Sequence, residues 1–145
     1  HAFIRGLAEY EREPDAVEVT PDELAEQLAR KTPPFECLLA ERDGSAVGFA
    51  LFFMNYSTWR GRPGLYLEDL FVRPELRGRG IGKLLLQTLA RIAVDRGCGR
   101  FEWWVLDWNE PAIRFYRRLG AQSMDEWTVF RVTGDALADL AGEES

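Results

Sequence analysis

A chain of 145 residues with 46% hydrophobic side chains has the length of one domain and enough apolar material to bury a core. Its net charge of −6 and pI of about 4.9 argue against nucleic acid as the main partner, because phosphate binding wants a basic face. The same balance suits a cationic partner, although solubility alone makes many proteins acidic.

One histidine, His1, and two distant cysteines, Cys37 and Cys98, leave almost no material for a metal site or a histidine-based triad. The cysteines allow one long-range disulfide, but a pair of reduced core thiols is the favoured reading. Apolar runs such as Phe49 to Met54 fall far short of the roughly 20 residues of a membrane-spanning helix, and no segment has the order of a secretory signal. The expectation is a cytoplasmic protein with neither membrane nor nucleic acid as partner.

In chain order, Ala2 to Glu11 predicts a helix with Phe3, Leu7 and Tyr10 on one face. Thr20-Pro21-Asp22-Glu23 reads as a capping box with proline in the first turn. Leu24 and Leu28 continue that helix until Pro33-Pro34. Strands are expected over Glu36 to Glu41 and Ala46 to Asn55, joined by Asp43-Gly44, a hairpin signal. A turn over Gly61 to Gly64 leads to a third strand, Leu65 to Val72, stopped by Pro74.

Arg77-Gly78-Arg79-Gly80-Ile81-Gly82 opens a long helix whose stripe is expected to be Ile81, Leu84, Leu85, Leu89 and Ile92, with Gly97 beyond its end. Phe101 to Asp107 reads as a strand buried on both faces. Asn109-Glu110-Pro111 caps a helix running to Leu119, with Gly120 as its stop. A last strand, Trp127 to Val132, and a short helix, Asp135 to Leu140, complete the chain. Helices interleaved with a run of strands make a mixed α/β domain on a central sheet.

The stretch from Arg73 to Lys83 is basic in an acidic chain, with Arg73, Arg77, Arg79 and Lys83 against Glu75. Its glycines let several amide N–H groups point one way at a positive helix end, an anion-binding design. A Walker loop would need glycine at Arg77 and a hydroxyl at Leu84, and a dinucleotide fingerprint would need glycine at Lys83; neither is present. A glycine-rich turn with no ligand remains the plain alternative.

The Arg77 to Gly82 run resembles the pyrophosphate loop of the GNAT superfamily of N-acetyltransferases. Tyr66-Leu67-Glu68-Asp69-Leu70-Phe71-Val72 and Trp108-Asn109-Glu110-Pro111-Ala112-Ile113-Arg114-Phe115-Tyr116 are similar to the spermidine/spermine branch and its relatives acting on diamines and thialysine. The likeness runs from about Ala8 to Leu140.

The resemblance implies a mostly antiparallel sheet with a splayed strand pair, flanked by helices, in a single domain. It implies acetyl-CoA as donor, bound by the backbone of Leu70, Phe71 and Val72. The pyrophosphate falls to Arg77, Gly78, Arg79, Gly80, Ile81, Gly82 and Lys83, and Asn109, Ala112 and Tyr116 join the cofactor site. Tyr116 takes the place of the general acid, a role that suits a phenol of pKa about 10 facing a leaving thiolate. Glu68 would be the general base, through ordered water. On a regular strand Asp69 would point to the opposite face from Glu68, adding negative charge near the amine.

The resemblance places Tyr10, Glu11, Trp59, Glu102 and Trp104 beside the substrate, with Asp107 after the apolar strand as a further member of the cluster; carboxylates with aromatic walls suit an alkylammonium chain. The reaction implied is direct attack by the primary amine of a polyamine, diamine or lysine-like amino acid, in a ternary complex, within a homodimer. Acetylation of a protein, or acyl-CoA sensing without catalysis, are the competing readings.

Two departures from the pattern stand out. Ser57 occupies a position where polyamine-acting relatives carry an acid. The chain also begins inside the family's first helix, so the family's first strand has no counterpart: either residues precede His1 or the sheet is one strand short.

Overall fold

The structure, a computed structural model, describes residues 1–142. They divide into two compact units, the first from His1 to Leu106 and the second beginning at Asp107.

In the first unit, helix α1 (Ala2–Tyr10) lays Phe3 against Phe49 and Phe71, with ring centroids 5.7 Å apart in each pair. Gly6 makes this approach possible. A Cβ there would stand 2.7 Å from the end of the Phe71 ring, a distance no side chain tolerates. Helix α2 (Pro21–Leu28) starts as expected, the Glu23 N–H donating to the Thr20 hydroxyl and the Thr20 N–H to the Glu23 carboxylate.

The sheet is β1 (Glu36–Arg42), β2 (Ser45–Ser57), β3 (Arg62–Val72) and β4 (Arg100–Trp103), in that order. β1, β2 and β3 pair antiparallel, and β4 runs parallel to β3. Asp43 and Gly44 both take positive φ, 52° and 80°, as a two-residue hairpin requires.

Helix α3 (Ile81–Asp95) lies on the opposite face of the sheet from α1. A Cβ on its Gly82 would reach to 3.9 Å from Val72, whereas α1 contacts Phe71, and neighbouring strand residues point to opposite faces. Phe52, Leu65 and Leu89 form the fully buried centre between sheet and α3.

Four expectations need correction. The second turn lies over residues 58–61, earlier than Gly61 to Gly64, because β3 already begins at Arg62; Pro63 is tolerated near its first residue. The buried stripe of α3 is Leu85, Leu86, Leu89 and Ala93, and Leu84 is 60% exposed; among five candidate apolar positions, periodicity alone misplaced the stripe by a fraction of a turn. β4 ends at Trp103 and is only half-buried throughout, since its pairing with β3 stops there. Residues 127–132 form no strand: β-propensity without a neighbouring ladder does not make one.

In the second unit, helix α4 (Glu110–Arg118) is followed by irregular chain and helix α5 (Gly134–Leu140). Gly120 takes φ 96° just past α4, the left-handed stop that glycine provides. No helix among the described residues is long and apolar enough to cross a membrane.

Candidate active site

The site grows from an irregularity in β3. Phe52 of β2 stands opposite Leu67, and Leu51 opposite Asp69. Glu68 is therefore an extra residue, a β-bulge that kinks the strand. Pairing between β3 and β4 ends at the same point, with Leu67 opposite Trp103. From Glu68 to Val72, β3 keeps β2 on one side and, among the described residues, pairs with no strand on the other. This is the splayed strand the resemblance implied, and the bulge accounts for it.

The strand is not regular, so simple alternation does not place Glu68 and Asp69. Asp69 shares the face of Leu51 and Phe71, beneath α1, while Glu68 is exposed at the bulge. Glu11, which caps the C-terminal end of α1, completes a group of carboxylates.

Burial pushes the Asp69 carboxyl up to about 6, and the charges of Glu68 and Glu11 add to the rise. Burial also raises Glu11, with Glu68 contributing. Glu11, Glu68 and Asp69 together form a locus of negative potential that welcomes a cation. The sequence signal for this was a phase slip: apolar Leu65 and Leu67 give way to Leu70 and Val72, three residues apart at the join rather than two.

At the end of β3 the chain turns through Gly78 and Gly80, with φ 80° and 84°. Gly80 is the N-cap of α3, and that helix has neither a side-chain cap nor an acid in its first turn. The first N–H groups of α3 are thus left for an external acceptor.

The basic residues divide. The Arg73 Nε donates to the Ala46 carbonyl and its guanidinium lies over Phe3. The Arg77 Nε donates to the Val72 carbonyl at 3.1 Å, and its guanidinium lies 4.9 Å from the Tyr10 ring and 5.3 Å from that of Phe71. Arg79 and Lys83 have no side-chain partner among the described residues.

Other candidates fall in several places. Glu102 stands opposite Tyr66 and pairs with Arg100 at 2.8 Å. Trp104 meets the Tyr66 ring edge-on at 5.8 Å, which aligns these two residues along the Asp69 side of the sheet. Trp59 is 91% exposed at the β2–β3 turn; Glu68 lies six residues beyond Arg62 along β3, roughly 20 Å at strand rise, so the structure does not bring Trp59 to the carboxylates. Ser57 is buried, and its hydroxyl accepts from the Arg60 N–H at 3.3 Å. Where the resemblance implied an acid, this chain has a turn-forming hydroxyl.

In the second unit, Asn109 is the N-cap of α4, and Asn109, Ala112 and Tyr116 follow at i, i+3 and i+7 along one helical face. All three are half-buried. Asp107 is exposed at the start of this unit. Cys37 and Cys98 are free thiols. Cys37 stands opposite Leu51, whereas Cys98 contacts Met54, so they occupy opposite faces of the sheet. Among the described residues no cluster of His, Cys, Asp and Glu is arranged to hold a metal.

Comparison with known proteins gives a consistent picture. The profile of the Acetyltransferase (GNAT) family matches residues 4–121. Thialysine N-epsilon-acetyltransferase of Bos taurus is 41% identical, over 97% of this chain and 89% of its own. Spermidine/spermine N(1)-acetyltransferase-like protein 1 of Homo sapiens is 35% identical over 98% of this chain, though over 22% of its own length. Among solved structures, an integron cassette protein from the mobile metagenome of V. cholerae superposes with a TM-score of 0.80 at 29% identity, covering 97% of this chain and 87% of that one. The chain belongs to the Acetyltransferase (GNAT) family, alongside its thialysine and polyamine members, and is an acetyltransferase enzyme.

Proposed function

We propose that the protein transfers the acetyl group of acetyl-CoA to a primary amine of a small cationic molecule, a diamine, polyamine or lysine-like amino acid. The observation that carries this reading is the bulge at Glu68, which sets Glu68 and Asp69, with Glu11 of α1 beside them, where β3 loses its second neighbour. A strand edge open beside a group of carboxylates suits an acyl donor aligned on the backbone and an ammonium held by side chains.

The residues fit the donor. Gly78 and Gly80 hold left-handed conformations with open space where a Cβ would project, and the uncapped start of α3 supplies N–H donors for a diphosphate. In this reading the Gly78 to Lys83 turn, with Arg79 and Lys83, holds the diphosphate, while Leu70, Phe71 and Val72 pair with the pantetheine and direct an N–H to the thioester oxygen. Acetyl-CoA, when bound, supplies an activated acyl carbon and a thiolate leaving group.

The chain's own part is to bind the ammonium, remove its proton and deliver one to the departing sulfur. Glu68 removes the proton through water, and Asp69 and Glu11 balance the substrate's charge. Tyr116 is assigned the delivery of the second proton, with Asn109 and Ala112 on the same helical face contacting the pantetheine. We further propose a homodimer and a cytoplasmic setting. The exposed apolar side chains Trp127, Val129, Phe130 and Leu140 support a further contact surface, and the two free thiols suit a reducing compartment.

The substrate assignment is tested by an acetyl-CoA-dependent assay over thialysine, lysine, ornithine, diamines, polyamines, aminoglycosides and a peptide array. Turnover is expected to be highest on a thialysine-like or diamine substrate. Peptides outpacing every small amine would reverse the assignment, and tight acetyl-CoA binding with no amine acetylated would favour a sensor.

A further inference from the structure

We propose that Arg77, although it opens the glycine turn, is not a phosphate ligand but a positioning residue that couples the amine-binding end of α1 to the donor-binding edge of β3. This builds on the functional reading above and concerns how its two halves are held in register.

Three contacts carry the argument. The Arg77 Nε donates to the Val72 carbonyl at 3.1 Å, fixing the last residue of the open strand edge. The guanidinium lies over the Tyr10 ring at 4.9 Å and over the Phe71 ring at 5.3 Å, so both of its contact surfaces are on the side of the sheet that α1 covers. The start of α3, where diphosphate donors gather, faces Val72 on the other side. A guanidinium held between Tyr10 and Phe71 points away from that helix end.

The bridge has direct consequences for geometry. Tyr10 is the last residue of α1 and Glu11 its C-cap, so the cation–π contact sets where the helix end lies. That helix end places Glu11 near Glu68 and Asp69. The same side chain therefore touches the acceptor side through Tyr10 and the donor side through Val72. A lysine cannot replace it: an ammonium lacks both the Nε donor and the planar face that stacks on rings, although it remains a competent phosphate ligand.

This difference supplies the test. Arg77→Lys and Arg77→Met are compared with the parent chain for CoA affinity by calorimetry and for kcat/KM with thialysine. The expected result is that both substitutions lower thialysine kcat/KM by about tenfold, while CoA affinity stays within about twofold. A phosphate ligand would behave differently: Arg77→Met would weaken CoA at least about tenfold, Arg77→Lys would restore it, and the proposal would be overturned. Parent-like values in both variants would overturn it as well.

Should Arg77→Met fail to fold, Arg77→Lys alone distinguishes the two roles, because retained CoA affinity with lost amine kcat/KM has no explanation in phosphate binding. Tyr10→Leu adds an independent arm, in which the effect of Arg77→Lys on thialysine kcat/KM should shrink. If the parent chain acetylates no amine, the functional reading fails, and the CoA titrations still decide whether Arg77 binds phosphate.

Discussion

Two neighbouring regions at the C-terminal half of β3 handle charge by opposite means. The turn from Gly78 to Lys83 presents backbone N–H groups at a helix start with no capping side chain, and glycine supplies the left-handed φ values that aim them. A few residues earlier, Glu68 and Asp69, with Glu11 from α1, present only side-chain carboxylates, and Asp69 is lifted to about 6 by its burial first and by the neighbouring charges second. One region fits an anion through the main chain, the other a cation through side chains, and both hang on a single strand. A backbone site tolerates changes of side chain but not of conformation. A side-chain site behaves in the reverse way.

The largest expected effect tests the chemistry that both regions serve. Tyr116→Phe should lower kcat by about 10²-fold, the usual scale for losing an acid catalyst, with the KM for acetyl-CoA nearly unchanged in steady-state kinetics. Unaltered turnover would remove Tyr116 from the mechanism.

Next comes the backbone region. Gly80→Val forces a β-branched residue into φ 84°, a strain of about 1–2 kcal/mol or more, and should weaken CoA by roughly tenfold by calorimetry. By contrast, Lys83→Gln, which leaves the backbone alone, should cost less, about threefold. Equal losses in the two variants would mean that side-chain charge, rather than amide geometry, holds the diphosphate.

The smallest effect concerns the carboxylates and carries a pH signature. Because Asp69 is raised from 3.8 to about 6, the native state binds more protons than the unfolded chain between those values, so stability falls as pH rises through that window. Asp69→Asn should therefore be more stable than the parent by about 1–2 kcal/mol at pH 7, after discounting for solvent screening, with the gain fading below about pH 4. Its kcat/KM for the amine should fall about twofold and lose the parent's acid limb near pH 6. Thermal melts and pH–rate profiles of both chains check the two halves of this prediction.

What the sequence revealed follows the same division. The glycine turn was legible because φ above zero strongly favours glycine and leaves it written in the chain. Capping at Thr20 and the hairpin at Asp43-Gly44 were equally plain, being local chemistry between residues a few positions apart. The carboxylate group was only half legible. Glu68 and Asp69 could be named, but the bulge that sets their directions depends on how β2 lies against β3, and Glu11 joins them only through the packing of α1.

Arg77 shows the limit most clearly. Its place in a basic, glycine-rich run suggests an anion ligand, yet the folded chain gives its side chain to Tyr10, Phe71 and Val72. Residues 127–132 illustrate the converse: strong strand propensity has no outcome where no partner strand lies alongside.

The bulge at Glu68 also bears on how such a site can arise. With that residue struck out, Leu65, Leu67, Leu70 and Val72 fall into unbroken alternation against β2, all on the face covered by α3. The instructions for building the sheet do not require Glu68. A single inserted codon in an ordinary strand is enough to furnish both an exposed carboxylate and the parting of two strands, leaving the hydrophobic code of the scaffold unrevised.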